Sequence, residues 1–158
     1  MRETGENPLF AAYYRSPFGL ISILSDSEAI RALSFGYLPG DEQEKPVLHD
    51  AIIQLQEYFA GKRKVFTLPL RTKGTPFQES VWYQLQQIPY GETRSYADIA
   101  FEIDNPKAFR AVGMANNRNP IGIIIPCHRV IGKNGALVGY AGGLQYKQKL
   151  LELERLYR

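Results

Sequence analysis

The chain has 158 residues, 44% hydrophobic and 22% charged, with a formal net charge of +3. These values are ordinary for a folded globular protein, and the length allows one domain or two small ones with a real core. No apolar run reaches membrane-span length, and the N-terminal MRETGENPLF lacks a signal-peptide apolar region, so an intracellular, cytoplasmic protein with no membrane partner is expected.

Residues 1 to 7 read as a loose end. Leu9 to Tyr14, Leu20 to Leu24 and Ala29 to Phe35 read as short strands separated by the turn signals Ser16-Pro17-Phe18-Gly19 and Ser25-Asp26-Ser27. An antiparallel meander follows from this pattern. Pro39-Gly40 and the acidic Asp41-Glu42-Gln43-Glu44 read as a solvated loop. Val47 to Ala60 then reads as a helix with Leu48, Ile52, Leu55 and Phe59 on one side, ended by Gly61. Lys62-Arg63-Lys64 could touch phosphate, although so short a charge run is usually just exposed.

Around Leu70 to Gly74 the pattern changes from strands to helices, which places a domain boundary there and gives domains 1–72 and 73–158. Thr75-Pro76-Phe77-Gln78 is a strong helix start: Thr75 can cap, Pro76 suits the first turn and Gln78 completes a capping box. Phe77, Val81, Leu85 and Ile88 form its apolar stripe, with Trp82 beside it as core, and Ile88-Pro89-Tyr90-Gly91 ends it. Ser95 opens a short helix from Tyr96 to about Ile103, with Asp98 at the third position. Asn105-Pro106 starts another, running to about Asn116. Two short helices joined by a tight turn are consistent with a helix-turn-helix. On the second, Ala108, Ala111, Val112 and Ala115 form the packing side, and Lys107, Arg110, Met114 and Asn117 the opposite side. Gly113 and Ala115 keep the surface low enough for another backbone to approach.

Asn119-Pro120 turns the chain into the apolar run Ile121-Gly122-Ile123-Ile124-Ile125, which presents Pro126-Cys127-His128-Arg129. Val130-Ile131, the turn Gly132-Lys133-Asn134-Gly135 and Ala136-Leu137-Val138 read as a small hairpin, a wing beside the helix pair. Tyr140-Ala141-Gly142-Gly143 reads as a loop before the final helix, where glycines would let a flat ligand approach the backbone or simply serve the turn.

Cys127 is the only cysteine, and His49 and His128 are the only histidines. A disulfide within the chain is excluded, and a zinc site is argued against, so no metal is expected. Cys127 is then either a small buried hydrophobe or a nucleophile. The adjacent His128 imidazole and Arg129 charge favour an ionised sulfur. A partner for the imidazole comes from the final segment, where Lys147, Leu150, Leu151 and Glu154 share one helical face. A carboxylate there is costly to bury alone, and one accepting a ring N–H from His128 would fix the tautomer and free the other nitrogen for the sulfur's proton. The alternative is a solvated Glu154 at the helix edge.

Charge distribution adds a partner. From Asn105 to Leu151 there is no Asp or Glu, against Lys107, Arg110, Arg118, Arg129, Lys133, Lys147 and Lys149, while the rest of the chain carries 12 basic and 16 acidic residues. This basic stretch around the cysteine suits a polyanion, most simply nucleic acid, or is a solvated face.

Gly74-Thr75-Pro76-Phe77-Gln78, Ile88-Pro89-Tyr90-Gly91, Ser95-Tyr96, Asn105-Pro106-Lys107-Ala108, Arg110-Ala111-Val112-Gly113, Arg118-Asn119-Pro120, Ile125-Pro126-Cys127-His128-Arg129-Val130 and Tyr140-Ala141-Gly142-Gly143-Leu144 occur in this order. In these motifs the chain resembles the O6-alkylguanine-DNA alkyltransferases, also called methylated-DNA-protein-cysteine methyltransferases. The resemblance is dense over about residues 74 to 155 and looser from Ser16 to Leu70. It implies an α+β protein: an N-terminal ribonuclease-H-like antiparallel sheet with a helix, then a mostly helical C-terminal domain with a winged helix-turn-helix. It also implies direct-reversal DNA repair by single-turnover, irreversible transfer of an alkyl group from O6-alkylguanine, in a base flipped out of duplex DNA, to the protein.

Position by position, the resemblance makes Cys127 the acceptor, His128 the base reached through water, Glu154 the carboxylate orienting the imidazole, and Asn119 the support of the cysteine loop. Tyr96 matches the tyrosine serving the departing guanine. Arg110 matches an arginine that fills the extruded base's place, within a DNA-binding set of Lys107, Ala108, Arg110, Met114, Arg118 and Arg129. Tyr140, Ala141, Gly142 and Val130 match the guanine pocket. No cofactor is implied, and the partner is double-stranded DNA carrying O6-alkylguanine, met by a monomer. Phe101-Glu102-Ile103-Asp104 is more acidic than the family pattern, so DNA contacts would differ locally. Two other readings stay open: a non-catalytic lesion-binding relative, which would lack the acceptor cysteine, and a cysteine hydrolase using Cys127, His128 and Glu154.

Overall fold

A computed structural model describes residues 9–140 and 142–158. The chain divides into two compact units between Arg71 and Thr72. The first holds β1 (Phe10–Ser16), β2 (Gly19–Ser25), β3 (Ile30–Phe35), β4 (Asp41–Glu42) and α1 (Pro46–Phe59). The sheet order is β3-β2-β1-β4, and β1 and β3 both run antiparallel to β2. The expected meander is present. The two-residue turn Pro17-Phe18 closes the first hairpin with Ser16 opposite Gly19, where the backbone takes a φ of 119° that glycine tolerates.

Central β2 is buried from Ile21 to Ser25, as its flanked position demands. Helix α1 packs on β1 and β2. Its inward face carries Leu48, Ala51, Leu55, Tyr58 and Phe59, and the Phe59 ring meets Phe18 edge-on at 5.2 Å. Asp41 and Glu42 depart from the expected loop. They form a two-residue strand parallel to β1, opposite Phe10 and Ala11, while both side chains stay exposed. Only the backbone gains a partner there, and hydropathy reads side chains alone.

The second unit holds α2 (Pro76–Leu85), β5 (Arg94–Ser95), α3 (Tyr96–Glu102), α4 (Phe109–Asn117), β6 (Val130–Ile131) and α5 (Leu144–Tyr157), with a 3-10 turn at Cys127–Arg129. The expected capping box of Thr75 with Gln78 forms at the start of α2, and Ser95, expected to open α3, makes a second one with Asp98. Trp82 is core, and its indole N–H donates to Ala115 O at 2.8 Å, tying α2 to α4. Helices α2, α3 and α4 pack on one another. No helix among the described residues is long and apolar enough to cross a membrane.

Four local expectations change. Val130-Ile131 does not fold back as a hairpin wing: β6 pairs parallel with β5, Val130 opposite Arg94 and Ile131 opposite Ser95, and Lys133–Gly135 form a 3-10 turn closed by Gly132 N–H donating to Ala136 O. The glycines read as a hairpin turn are satisfied by a tighter local turn. Helix α4 starts at Phe109 rather than at Asn105-Pro106, because Asn105–Ala108 is spent on its own turn, with Ala108 N–H on Asn105 O. Ala111, expected on the packing side, is exposed, and Asn116 takes a buried place instead. What approaches Gly113 is not another backbone but the ring of Tyr96, 3.8 Å from where a Cβ would stand, an ordinary contact distance.

The β5–β6 pair matters for function. It brings the turn holding Cys127, which leads into β6, beside the start of α3 and hence Tyr96. Because Thr75 supplies both a side-chain acceptor and a reciprocated backbone donor at the start of α2, Thr75→Ala is expected to lower the stability of the second unit by about 1 kcal/mol, read as a fall in its urea midpoint.

Candidate active site

The site is built on the 3-10 turn that follows Pro126. Asn119 brackets the approach to it: Ile121 N–H donates to Asn119 Oδ1 at 3.0 Å, and Asn119 Nδ2 donates to Ile125 O at 2.8 Å. Between these anchors the buried Ile123 is held at a φ of 67°, a left-handed conformation unfavourable for a β-branched residue. The loop is thus forced into shape by its hydrogen bonds and packing. Asn116 adds a longer bond from Nδ2 to Cys127 O, 3.4 Å, and leaves its own buried Oδ1 without a partner among the described residues.

Behind the sulfur lies a buried polar chain. His128 Nε2 sits 2.7 Å from Glu154 Oε2, with both side chains almost inaccessible. The predicted partnership across 26 residues is present, and the solvated alternative for Glu154 is not. Arg129 completes the chain: Nε donates to Glu154 Oε1 at 2.8 Å, Nη2 to Oε2 at 3.0 Å, and Nη1 to Ile88 O at 2.8 Å. Gly91 N–H also donates to Glu154 Oε1, at 3.3 Å. The carboxylate therefore binds α5 to the cysteine turn and to the segment after α2.

This arrangement corrects the expectation that Arg129 meets DNA. Its side chain is buried and its three nitrogens face inward, because a buried carboxylate needs a matched cation more than the surface needs another charge. Val130 is likewise fully buried within β6 rather than open to a pocket. Two of the seven charges in the basic stretch, Arg129 and Lys147, are interior. Lys107, Arg110, Arg118, Lys133 and Lys149 remain exposed.

Protonation follows from the geometry. Burial alone would raise the Glu154 carboxyl, but the His128 and Arg129 contacts outweigh it and hold the group well below the usual carboxylate range. Burial depresses His128, and although Glu154 pulls the other way, Arg129 and Lys147 oppose a second cation. The imidazole is neutral with its Nε2 proton donated to Glu154. Nδ1 then carries a lone pair, buried and without a hydrogen-bond partner among the described residues.

The sulfur differs from the sequence expectation of a standing thiolate. Cys127 is buried, and burial pushes its thiol up despite opposing help from the Asn119 side chain, the Lys147 charge and the backbone N–H groups of Cys127 and His128. At rest the sulfur is a thiol. The cation felt by it is Lys147, which the sequence reading counted only as part of the basic stretch.

Tyr96 and Tyr140 stand at the same place. Both hydroxyls are held up by burial first and by the neighbouring Cys127 second, so both stay protonated. Tyr96 Oη donates to Val138 O at 2.9 Å. Gly142 is half-buried between rings: an added Cβ would lie 3.3 Å from Tyr140 and 3.4 Å from Tyr146. Ala141, the remaining expected pocket residue, lies outside the described residues. On α4, Arg110 and Met114 are exposed, Ala108 is half-buried at the N-cap, and Lys107 precedes it exposed. The sequence reading missed Lys147 and Asn116 as parts of the site. The first had a signal: a lysine on the same apolar helical face as Glu154.

With this geometry established, likeness to known proteins is informative. Residues 9–72 match the ribonuclease-like domain, and residues 76–156 the DNA binding domain, of 6-O-methylguanine DNA methyltransferase. A methylated-DNA–protein-cysteine methyltransferase of Methanosarcina acetivorans is 48% identical over 155 residues, covering 92% of this chain and 98% of its own. The constitutive methylated-DNA–protein-cysteine methyltransferase of Bacillus subtilis is 61% identical over 117 residues, 73% of this chain and 71% of its own. Among solved structures, Mycobacterium tuberculosis OGT in complex with DNA superposes with a TM-score of 0.88 at 42% identity, covering 94% of each chain. A lone cysteine backed by a buried histidine–glutamate–arginine chain, and a match running through both units, lead to one conclusion: this chain belongs to the 6-O-methylguanine DNA methyltransferase family.

Proposed function

We propose that this protein repairs DNA by direct reversal, taking the alkyl group of O6-alkylguanine onto Cys127 irreversibly and once per molecule. The observation that carries the proposal is the buried pairing of Glu154 with His128, whose Nδ1 has no hydrogen-bond partner among the described residues and which directly follows the chain's one cysteine. The names of its close relatives and the DNA-bound structural neighbour support the same reading.

In this mechanism the Cys127 thiol gives its proton to His128 Nδ1, directly or through water, and the Glu154 carboxylate stabilises the imidazolium that forms. Sulfur attacks the alkyl carbon, the S–C bond forms as the C–O6 bond breaks, and the electron pair moves onto guanine. Tyr96 supplies the proton that the departing base takes up and regains one from the imidazolium side. Atoms and charge balance between thiol and base, so the step calls on no added cofactor. The product is a thioether, a bond that water does not cleave, hence a single turnover.

The base must leave the stack to reach a buried sulfur, at roughly a few kcal/mol. We read α3 and α4 as the helix-turn-helix, with α4 entering a groove of the duplex, Arg110 occupying the space the base vacates, and Lys107 and Arg118 on phosphates. Their exposure supports this. Tyr140 and Gly142 would wall the base. Action on genomic DNA implies an intracellular protein, which we read as a cytoplasmic monomer.

Mixing with duplex DNA carrying labelled O6-methylguanine should move at most one label onto each chain, at Cys127 by mass spectrometry; Cys127→Ser should bind the duplex and accept none. Repeated turnover of a simple ester would instead identify a hydrolase. Binding should weaken with salt, and Lys107→Ala or Arg118→Ala should each lower the slope of log affinity against log salt by about one. Acid should destabilise the second unit in two steps. Below the ordinary histidine value of 6.5 the unfolded chain takes up a proton that folded His128 refuses, and below the ordinary carboxylate value of 4.5 it takes up another that folded Glu154 refuses. Since the unfolded state binds more protons in both windows, stability falls as pH falls through each. Urea midpoints from neutral to acid pH, compared with Glu154→Gln, would check this.

A further inference from the structure

Helix α4 carries a single charged residue, Arg110, and no acid. The side of a surface helix that meets water is normally rich in charges, yet here Phe109, Ala111 and Met114 stand exposed around that one arginine. Phe109 is the largest of them, and the DNA-binding set read from the sequence does not include it. The residue keeps 47% of its surface open, and the guanidinium carbon of Arg110 lies 6.0 Å from the centre of its ring, at the limit of cation–π reach.

Position on the helix gives the ring a direction. Phe109 and Gly113 are four residues apart and share one flank of α4. Against Gly113 lies the ring of Tyr96, 3.8 Å from where a Cβ would stand. Phe109 therefore stands one helical turn from the tyrosine proposed to serve the departing guanine, on the flank that Tyr96 packs against and beside Arg110. Exposed cations bracket it, Lys107 before α4 and Arg118 at its C-cap, and no Asp or Glu occurs from Asn105 to Leu151. An apolar ring among unopposed cations fits a duplex, whose phosphates meet the charges and whose base faces are flat and apolar.

We infer that Phe109 is a wedge that holds the duplex unstacked during repair: its ring covers the face of the base pair that loses its neighbour when the lesion rotates out, while Arg110 fills the vacancy. A guanidinium is much smaller than a base pair, so the arginine alone leaves part of that face in water. Apolar side chains inserted at a base step are a general means of keeping it open. The ring that is exposed to water in the free protein becomes covered only on DNA. This inference deepens the repair reading and rests on its placing α4 against the duplex.

Two measurements on the full-length protein test it. The first is single-turnover methyl transfer from O6-methylguanine, either paired in a duplex or in the same strand left unpaired. Phe109→Ala should slow transfer from the duplex about tenfold or more and from the single strand by less than about twofold. Its loss should not add to that of Arg110→Ala, since the two side chains serve one vacancy. The second needs no transfer: in Cys127→Ser protein, Phe109→Ala should weaken binding to the lesion duplex about tenfold and leave the slope of log affinity against log salt unchanged, because the ring neutralises no phosphate. Should the alanine variant fail to fold, Phe109→Gln, which keeps a stem along the helix but no ring, must show the same losses while a thermal melt reports a folded chain. Equal slowing on duplex and single strand, unchanged transfer and affinity on the duplex, losses that add to Arg110→Ala, or unfolding of both variants overturns the assignment. If the unaltered protein transfers no methyl group yet Phe109→Ala weakens duplex binding with the salt slope intact, the repair reading fails and the place of the ring in the duplex stands.

Discussion

A carboxylate removed from water must be compensated by specific partners, and Glu154 is that carboxylate. Its side chain is 1% exposed and takes both an imidazole and a guanidinium within 3.0 Å. Isolated burial of such a charge would cost several kcal/mol, so the contacts around it are obligatory rather than ornamental. They reach the cysteine turn through His128 and Arg129, and the segment between α2 and β5 through Ile88 and Gly91. One charged group in α5 thereby fixes the relative positions of the pieces that carry the chemistry.

The same interaction decides which protons are where. Burial disfavours a charged imidazole, and Arg129, already paired with the carboxylate, opposes a second cation there, so His128 rests neutral. That leaves its Nδ1 as a base. It also leaves the sulfur without a standing cationic histidine, and burial then keeps Cys127 a thiol. Reactivity is held in reserve until a proton can pass along the chain.

Backbone constraints complement the electrostatics. Asn119 fastens the loop at two points, and the left-handed Ile123 between them shows that the approach to the cysteine is imposed by its surroundings rather than chosen by local preference. The parallel pairing of β5 with β6 sets Tyr96 near the turn, and the tyrosine ring lies against α4 at Gly113. The exposed side of α4 is meanwhile left to Arg110 and Met114.

What the sequence determined by itself were features written in local chemistry. The capping box of α2, the start of α3 at Ser95, the meander, the stripe of α1, the lone cysteine and the shared face of Leu150 and Glu154 were all legible, because each depends on residues a few positions apart. The family motifs carried the site residues with them. Tertiary structure decided whatever depends on which surface a side chain finally meets. Arg129 and Lys147 looked like two more charges of a basic face until the fold gave one a buried carboxylate and the other two backbone carbonyls. Val130-Ile131 looked like half a hairpin until β5, 36 residues earlier at Arg94 and Val130, offered its edge. Desolvation, which turned the expected thiolate into a thiol, has no signature in neighbouring residues: it is a property of the whole packed unit, and only the packed unit reveals it.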